Sequence, residues 1–309
     1  FYVVGETTGD HRFVFEQTDG VKPIDLAMED MFGKAPRTVM TDRTVEETYE
    51  DVTYDQTQLD EYVERVLQLE AVACKDWLTN KVDRSVTGKI ARQQCQGEIQ
   101  LPLSDCGVVA LDYRGRAGIA TSIGHAPQAA LVDPAAGSVL SIAEALTNIV
   151  WAPLSEGLDS VSLSANWMWP CKNEGEDARL YRAVEACSDF ACSLGINIPT
   201  GKDSLSMTQK YGKDKVYSPG TVIISAGAEV SDIRKVVSPV LRTGVDSMVY
   251  YIDFSFDKLK LGGSAFAQSL DKIGKEVPTV QDSEYFANAF NAVQELINKE
   301  LSLAGPGIS

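Results

Sequence analysis

The chain has 309 residues, 44% of them hydrophobic and 23% charged, with a net charge of −16. That length holds about two domains, and the composition is that of an ordinary globular protein rather than a disordered one. The acidic balance argues against nucleic acid as a partner, because binding to phosphates depends on Lys and Arg displacing counterions; it suits work with Mg²⁺, or carboxylates carried as solvated surface.

In chain order, Phe1–Val4 and Arg12–Phe15 read as short strands around a turn at Gly9-Asp10. With no initiator Met or leader before Phe1, and an end just past a helix at Leu303–Ser309, both termini are expected to be cut from something longer. Residues 16–58 are acidic and polar, broken by Pro23 and Pro36, and read as a connection with a short amphipathic stretch from Pro23 to Lys34. Gln58–Leu69 has Leu59, Tyr62, Val63, Val66 and Leu67 on one stripe, a helical period. Short β-prone pieces follow at Gly107–Tyr113 and Gly118–Ser122.

Asp133 and Pro134 form a helix start, a capping carboxylate followed by a residue whose missing N–H costs nothing there; the helix runs through Val139–Val150. Val161–Ala165 alternates as a strand, Asn166–Gly175 reads as a loop, and Ala178–Leu194 is a helix stopped by Gly195. Strands are expected at Thr221–Ala226 and Met248–Phe254, then a Gly262-Gly263 turn into a helix, and a long helix from Ser283 to Leu301. Strands alternating with helices give an α+β or mixed α/β class, with a boundary near Ser231. Six cysteines (Cys74, Cys95, Cys106, Cys171, Cys187, Cys192) form no CxxC pair, and with no secretory signal they read as reduced thiols of a cytoplasmic protein. No apolar run approaches the ~18 residues that span a bilayer, so no membrane is expected.

The helix at 133–150 carries the most chemical information. It is apolar nearly all round, and its polar residues Ser141, Glu144 and Asn148 share one stripe. Glu144 and Asn148 are four apart and lie one above the other. A carboxylate on a buried helix is costly unless paired or bound to metal, and a carboxylate with an amide oxygen is a hard-oxygen set suited to Mg²⁺. The same pair could instead cap a loop or meet an Arg, which is the commoner case. Asp105, before the small-residue strand at Gly107, could reach a metal at a strand end or simply form a turn. Gly201-Lys202-Asp203-Ser204 fails as a P-loop in spacing and in its Asp, and reads as a polar loop. His11 and His125 have no nucleophile partner and read as structural.

Several strings together resemble one family: Val82–Gly88, Ala91-Arg92-Gln93-Gln94, Leu101–Cys106, Glu144–Ile149, Ser164–Met168, Gly175–Ala178 and Ile198–Ser204. Their order and spacing are similar to those of the large, single-chain phosphoribosylformylglycinamidine synthases, over almost the whole chain. That family has two tandem halves, each resembling aminoimidazole ribonucleotide synthetase, followed by a glutaminase domain. The resemblance implies that residues 1–15 end the first half, 16–44 connect, 45–230 form the sheet-rich N-domain of the second half, and 231–309 begin its α/β C-domain, truncated.

It further implies an ATP- and glutamine-dependent ligase of purine biosynthesis whose reacting centre lies elsewhere, this part holding an auxiliary ADP with Mg²⁺. On that resemblance the metal ligands are Asp105, Glu144 and Asn148, the nucleotide contacts Ser104 and Ser309, and no catalytic residue is present. Gly307 stands where the family has a further ligand Asp. The implied partners are the remaining domains of the longer chain, or a second copy of this fragment. A ligand-free scaffold packing on the first half, or a free-standing relative of the aminoimidazole ribonucleotide synthetase or selenophosphate synthetase type, are the other readings.

Overall fold

The computed structural model describes residues 1–34, 39–79 and 88–307. The chain divides into two compact units, Phe1–Thr41 and Asp42–Ser309. In the first, strands β1 (Arg12–Phe15) and β2 (Ile24–Ala27) pair antiparallel, Arg12 opposite Ala27 and Phe15 opposite Ile24. Helix α1 (Met28–Phe32) follows directly. Phe1–Val4 is not a strand: its β-prone side chains pair with no ladder among the described residues, and extended backbone becomes sheet only when its N–H and C=O groups find partners.

The second unit runs α2 (Leu59–Leu67), α3 (Asp76–Thr79), β3 (Ile90–Arg92), β4 (Cys95–Gln96), β5 (Leu101–Pro102), β6 (Gly107–Ala110), β7 (Gly118–Gly124), α4 (Pro127–Val132), α5 (Pro134–Ile149), β8 (Ser162–Met168), α6 (Glu176–Ser193), β9 (Asn197–Ser204), β10 (Thr208–Tyr211), β11 (Asp214–Tyr217), β12 (Thr221–Val230), α7 (Ala265–Ser269) and α8 (Ser283–Asn298). Six strands form the central sheet in the order β3-β6-β7-β12-β8-β9. All neighbours are antiparallel except β8 and β9, which run parallel. The result is the mixed α/β class expected from the sequence.

Helix α5 begins as its sequence dictates. The Asp133 carboxylate accepts from the N–H groups of Ala135 and Ala136, with Pro134 in the first turn. The helix lies on one face of the sheet, and β7 meets it with small residues at alternate positions: Gly118, Ala120, Ser122 and Gly124 are buried while Ile119, Thr121 and Ile123 face outward. Contact is closest at Gly124, where a Cβ would stand 2.3 Å from both the Ser141 carbonyl and the Ala145 nitrogen. Glycine is required there. Ser122 Oγ donates to the Ala145 carbonyl at 2.6 Å, fixing helix to strand. Ile142, Leu146 and Ile149 of α5, Ile224 and Val230 of β12, and Phe286, Phe290 and Ile297 of α8 share one core, so chain on both sides of Ser231 contributes to it.

Helix α6 starts at Gly175, which has no side chain to cap it. The Asp42 carboxylate does so from far upstream, accepting from the N–H groups of Gly175, Asp177 and Ala178 at 3.2, 3.0 and 3.3 Å, while Arg43 pairs with Glu174. A carboxylate suits the positive end of a helix. The N–H groups of Arg43 and of the helix start hold its pKa below the usual value. Gly195 ends the helix region with φ +71°, as its position predicts.

Further expected assignments differ, and Asn166–Met168, expected to open a loop, is the end of β8. Gly201–Ser204 lies within β9 rather than in a loop, its backbone paired with Ala165–Met168 of β8. Met248–Phe254 forms no strand: Val249 and Tyr251 are 90% and 74% exposed, and the segment joins no ladder among the described residues. All six cysteines are free. No helix among the described residues is long and apolar enough to cross a membrane.

Candidate functional site

The end of β7 and one stripe of α5 are tied by two further hydrogen bonds, and both involve the residues singled out by spacing. Asn148 Nδ2 donates to the Ile123 carbonyl at 2.9 Å. The His125 backbone N–H donates to Glu144 Oε2 at 3.1 Å. The first bond fixes the amide: with Nδ2 spent on β7, Oδ1 is the atom turned away from the strand. Ser141, the third polar residue of the stripe, donates instead to Gly137 within the helix and is buried.

Asp105 reaches the same place from the neighbouring strand. Gly107 of β6 pairs with Thr121 of β7; the same register, continued back by two residues, sets Asp105 level with Ile123. The Gly307 N–H donates to Asp105 Oδ2 at 2.5 Å. A Cβ placed on Gly307 would lie 3.2 Å from Asn148 Oδ1 and 3.3 Å from Asp105 Oδ2. Position 307 therefore faces both oxygens, and as glycine it offers them an N–H where a side chain could offer a carboxylate.

Burial raises the pKa of both acids. For Asp105, desolvation is opposed by the Gly307 N–H and by the Trp151 indole, which points toward the carboxyl without closing a hydrogen bond among the described residues. For Glu144, desolvation is opposed by the His125 N–H and the His125 charge, and the charge of Asp105 adds to the rise. The two carboxylates thus feel each other at one sheet end, as like charges sharing a site do. Cys106, beside Asp105, is buried and its thiol is pushed up to about 12, so it is an inert core residue rather than a ligand.

The donors are two carboxylates and an amide oxygen, a hard-oxygen set of the kind Mg²⁺ takes, with room in its shell for water and phosphate. Among the described residues no three His, Cys, Asp or Glu side chains gather as a metal-binding group, because the set here has only two acids and position 307 supplies none. The residues fit a divalent cation in kind and fall one carboxylate short in number. Ser104 adjoins Asp105, and its Oγ is buried with no partner among the described residues. Ser309 lies outside the described residues, as does most of the Val82–Gly88 string. Sequence reasoning did not find the His125 N–H, nor Trp151 and Arg92, which border Ser104 and Asp105; their places depend on strand register and helix end rather than on any local pattern.

The model of the FGAR-AT PurM_N-like domain matches residues 74–229, half of the chain. A probable phosphoribosylformylglycinamidine synthase of Caenorhabditis elegans is 43% identical over 246 residues, covering 79% of this chain and 18% of that protein. The phosphoribosylformylglycinamidine synthase of Homo sapiens is 37% identical over 324 residues, covering 99% of this chain and 24% of that one. Among solved structures, T. maritima PurL complexed with FGAR shares 14% identity at a TM-score of 0.49, covering 78% of this chain and 35% of that chain. The chain spans about a fifth to a quarter of the length of these curated relatives. The matched residues include Ser104, Asp105, Glu144 and Asn148, and the chain belongs to the FGAR-AT PurM_N-like domain family.

Proposed function

We propose that this chain is the auxiliary nucleotide–magnesium half of a phosphoribosylformylglycinamidine synthase, a cytoplasmic glutamine-dependent ligase of purine biosynthesis, and that it performs no synthase reaction alone. The observation that supports this is the placing of Asp105 and Asn148 at one sheet end, both facing position 307, with Glu144 one helical turn before Asn148 and close enough to feel the charge of Asp105. Mg²⁺ would be held by those three, neutralising nucleotide phosphates laid along Ser104 and Ser309. Residues 1–15 then close the preceding half, 16–44 connect, 45–230 form the N-domain and 231–309 begin the C-domain.

With one acid missing, binding of Mg²⁺–ADP by the chain is expected to be weak. Gly307→Asp is expected to tighten it on the order of tenfold. The new Cβ meets only side-chain atoms, the nearest being Asn148 Oδ1 and Asp105 Oδ2, which can give by a few tenths of an ångström. Without the ion the variant holds three carboxylates together and is expected to melt below the parent chain; with Mg²⁺–ADP it is expected to melt above it. Titration calorimetry with Mg²⁺–ADP reads the affinity, and no binding by either protein would defeat the assignment. Glutamine- or ammonia-dependent ADP release tracking the purified chain would defeat the claim of inactivity.

The outward face of the sheet presents Ile119, Ile123, Val109 and Ile223 among Ser164, Ser225 and Glu229. In the longer protein the remaining domains cover it; alone, a second copy of the chain is the available cover. The polar residues on this face make that association weak. Light scattering is expected to show dimers at high micromolar concentration, lost in Ile123→Lys; a strict monomer counts against the proposal.

A further inference from the structure

Beside the candidate site, Arg92 at the end of β3, Ser104 and Asp105 before β6, and Trp151 just past α5 line one cavity of about 10 Å³. The terminal nitrogens of Arg92 are engaged, one donating to Gln96 Oε1 at 2.8 Å and the other to the Val236 carbonyl at 2.9 Å. Its Nε is buried and has no partner among the described residues, and the same holds for Trp151 Nε1 and Ser104 Oγ. Six buried side-chain atoms among the described residues are in that position, and half of them border this one cavity. Buried donors left unpaired are costly and uncommon, so their concentration here points to an occupant.

The chemistry of the walls selects it. An indole N–H and a guanidinium N–H can only donate, so the occupant must offer lone pairs. A cation is excluded by the guanidinium. Phosphate or any polyatomic anion is too large for a space that admits about one water. We propose that the cavity holds a single internal water, which accepts from Arg92 Nε–H and Trp151 Nε1–H and donates to Ser104 Oγ and the Asp105 carboxylate. Each of its four hydrogen-bonding positions then has a partner. Through it, Arg92 and Trp151 act as positioning residues for Asp105. That second role rests on the magnesium reading of the site; the water itself does not.

The test uses the 309-residue chain, free of Mg²⁺ and nucleotide, and NMR cross-peaks between indole protons and long-lived water. The Trp151 indole proton is expected to show such a cross-peak, and Trp151→Phe is expected to remove both that resonance and its cross-peak. Absence of any bound-water cross-peak at Trp151 overturns the proposal. Ser104→Ala, which leaves the indole in place, is expected to weaken the cross-peak, and an unchanged one overturns the part given to Ser104; this variant serves if Trp151→Phe does not fold. For the positioning role, Trp151→Phe is expected to weaken Mg²⁺–ADP binding about tenfold in protein that is still folded, and undiminished affinity overturns that role. A cross-peak in a chain that never binds Mg²⁺–ADP supports the water and overturns the proposed function alone.

Discussion

Replacing Gln294 by Leu is expected to lower the unfolding free energy by about 3–5 kcal/mol, because three buried backbone groups lose their partner at once. The last carbonyls of a helix have no acceptor role left within it, and α5 ends among buried residues. Gln294 of α8, 4% exposed, meets this need with one side chain. Its Nε2 donates to the Val150 and Ala152 carbonyls at 2.6 and 3.0 Å, and its Oε1 accepts from the Leu154 N–H at 2.8 Å. Leucine keeps the volume, so the loss reports hydrogen bonding rather than a cavity. Domain stabilities are about 5–15 kcal/mol, so the effect should be plain as a drop in the urea midpoint at constant slope. The segment pinned this way leads straight to Trp151, and Mg²⁺–ADP affinity is expected to fall with it. A stability change under about 1 kcal/mol would show that water replaces the side chain at little cost.

How far the sequence carried this far depends on the range of the interactions involved. The start of α5 was legible because its cap is local: Asp133 bonds amides two and three residues away. The stacking of Glu144 over Asn148 was legible for the same reason, being helical geometry. What the stacked pair faces was not. Spacing left a loop cap or an Arg open, and the resemblance to a family supplied the choice of metal. In the structure both side chains are tied to the end of β7, and Asp105 arrives through strand register, which no local pattern encodes.

The errors have the same cause with opposite sign. Gly201–Ser204 has turn composition, yet parallel pairing to β8 makes it strand. Met248–Phe254 has strand composition, yet with no ladder beside it among the described residues its propensity has nothing to act on.

Glu144→Gln is expected to abolish stabilisation by Mg²⁺–ADP while making the ligand-free chain more stable at neutral pH. The amide oxygen of Gln can still accept from the His125 N–H, so the change removes charge and little else. Burial, aided by the charge of Asp105, raises the folded-state pKa of Glu144 above its unfolded value. Between those two values the native state binds more protons than the unfolded one, so stability falls as pH rises through the window. Above it the full cost of the buried charge remains, and Gln escapes it. The gap in melting temperature between variant and parent should therefore be small near pH 4, where the unfolded carboxylate protonates at about 4.3, and should widen toward pH 7.

Other acids titrate with the opposite sign: Asp257, held down to about 2 with help from Lys260 and the Thr279 N–H despite its desolvation, stabilises the fold until strong acid. Asp257 is common to both proteins and cancels in the comparison. A saturating ligand at 100 times its Kd adds about 2.7 kcal/mol to a chain that binds it, so excess Mg²⁺–ADP should reverse the order, lifting the parent above the variant. Thermal melts of both proteins from pH 4 to 8, with and without Mg²⁺–ADP, decide the matter. If the ligand raises both equally, the ion does not sit on Glu144. If the variant is the less stable at pH 7 without ligand, the carboxylate is held by some partner other than the one His125 N–H and is not a charge waiting for a cation.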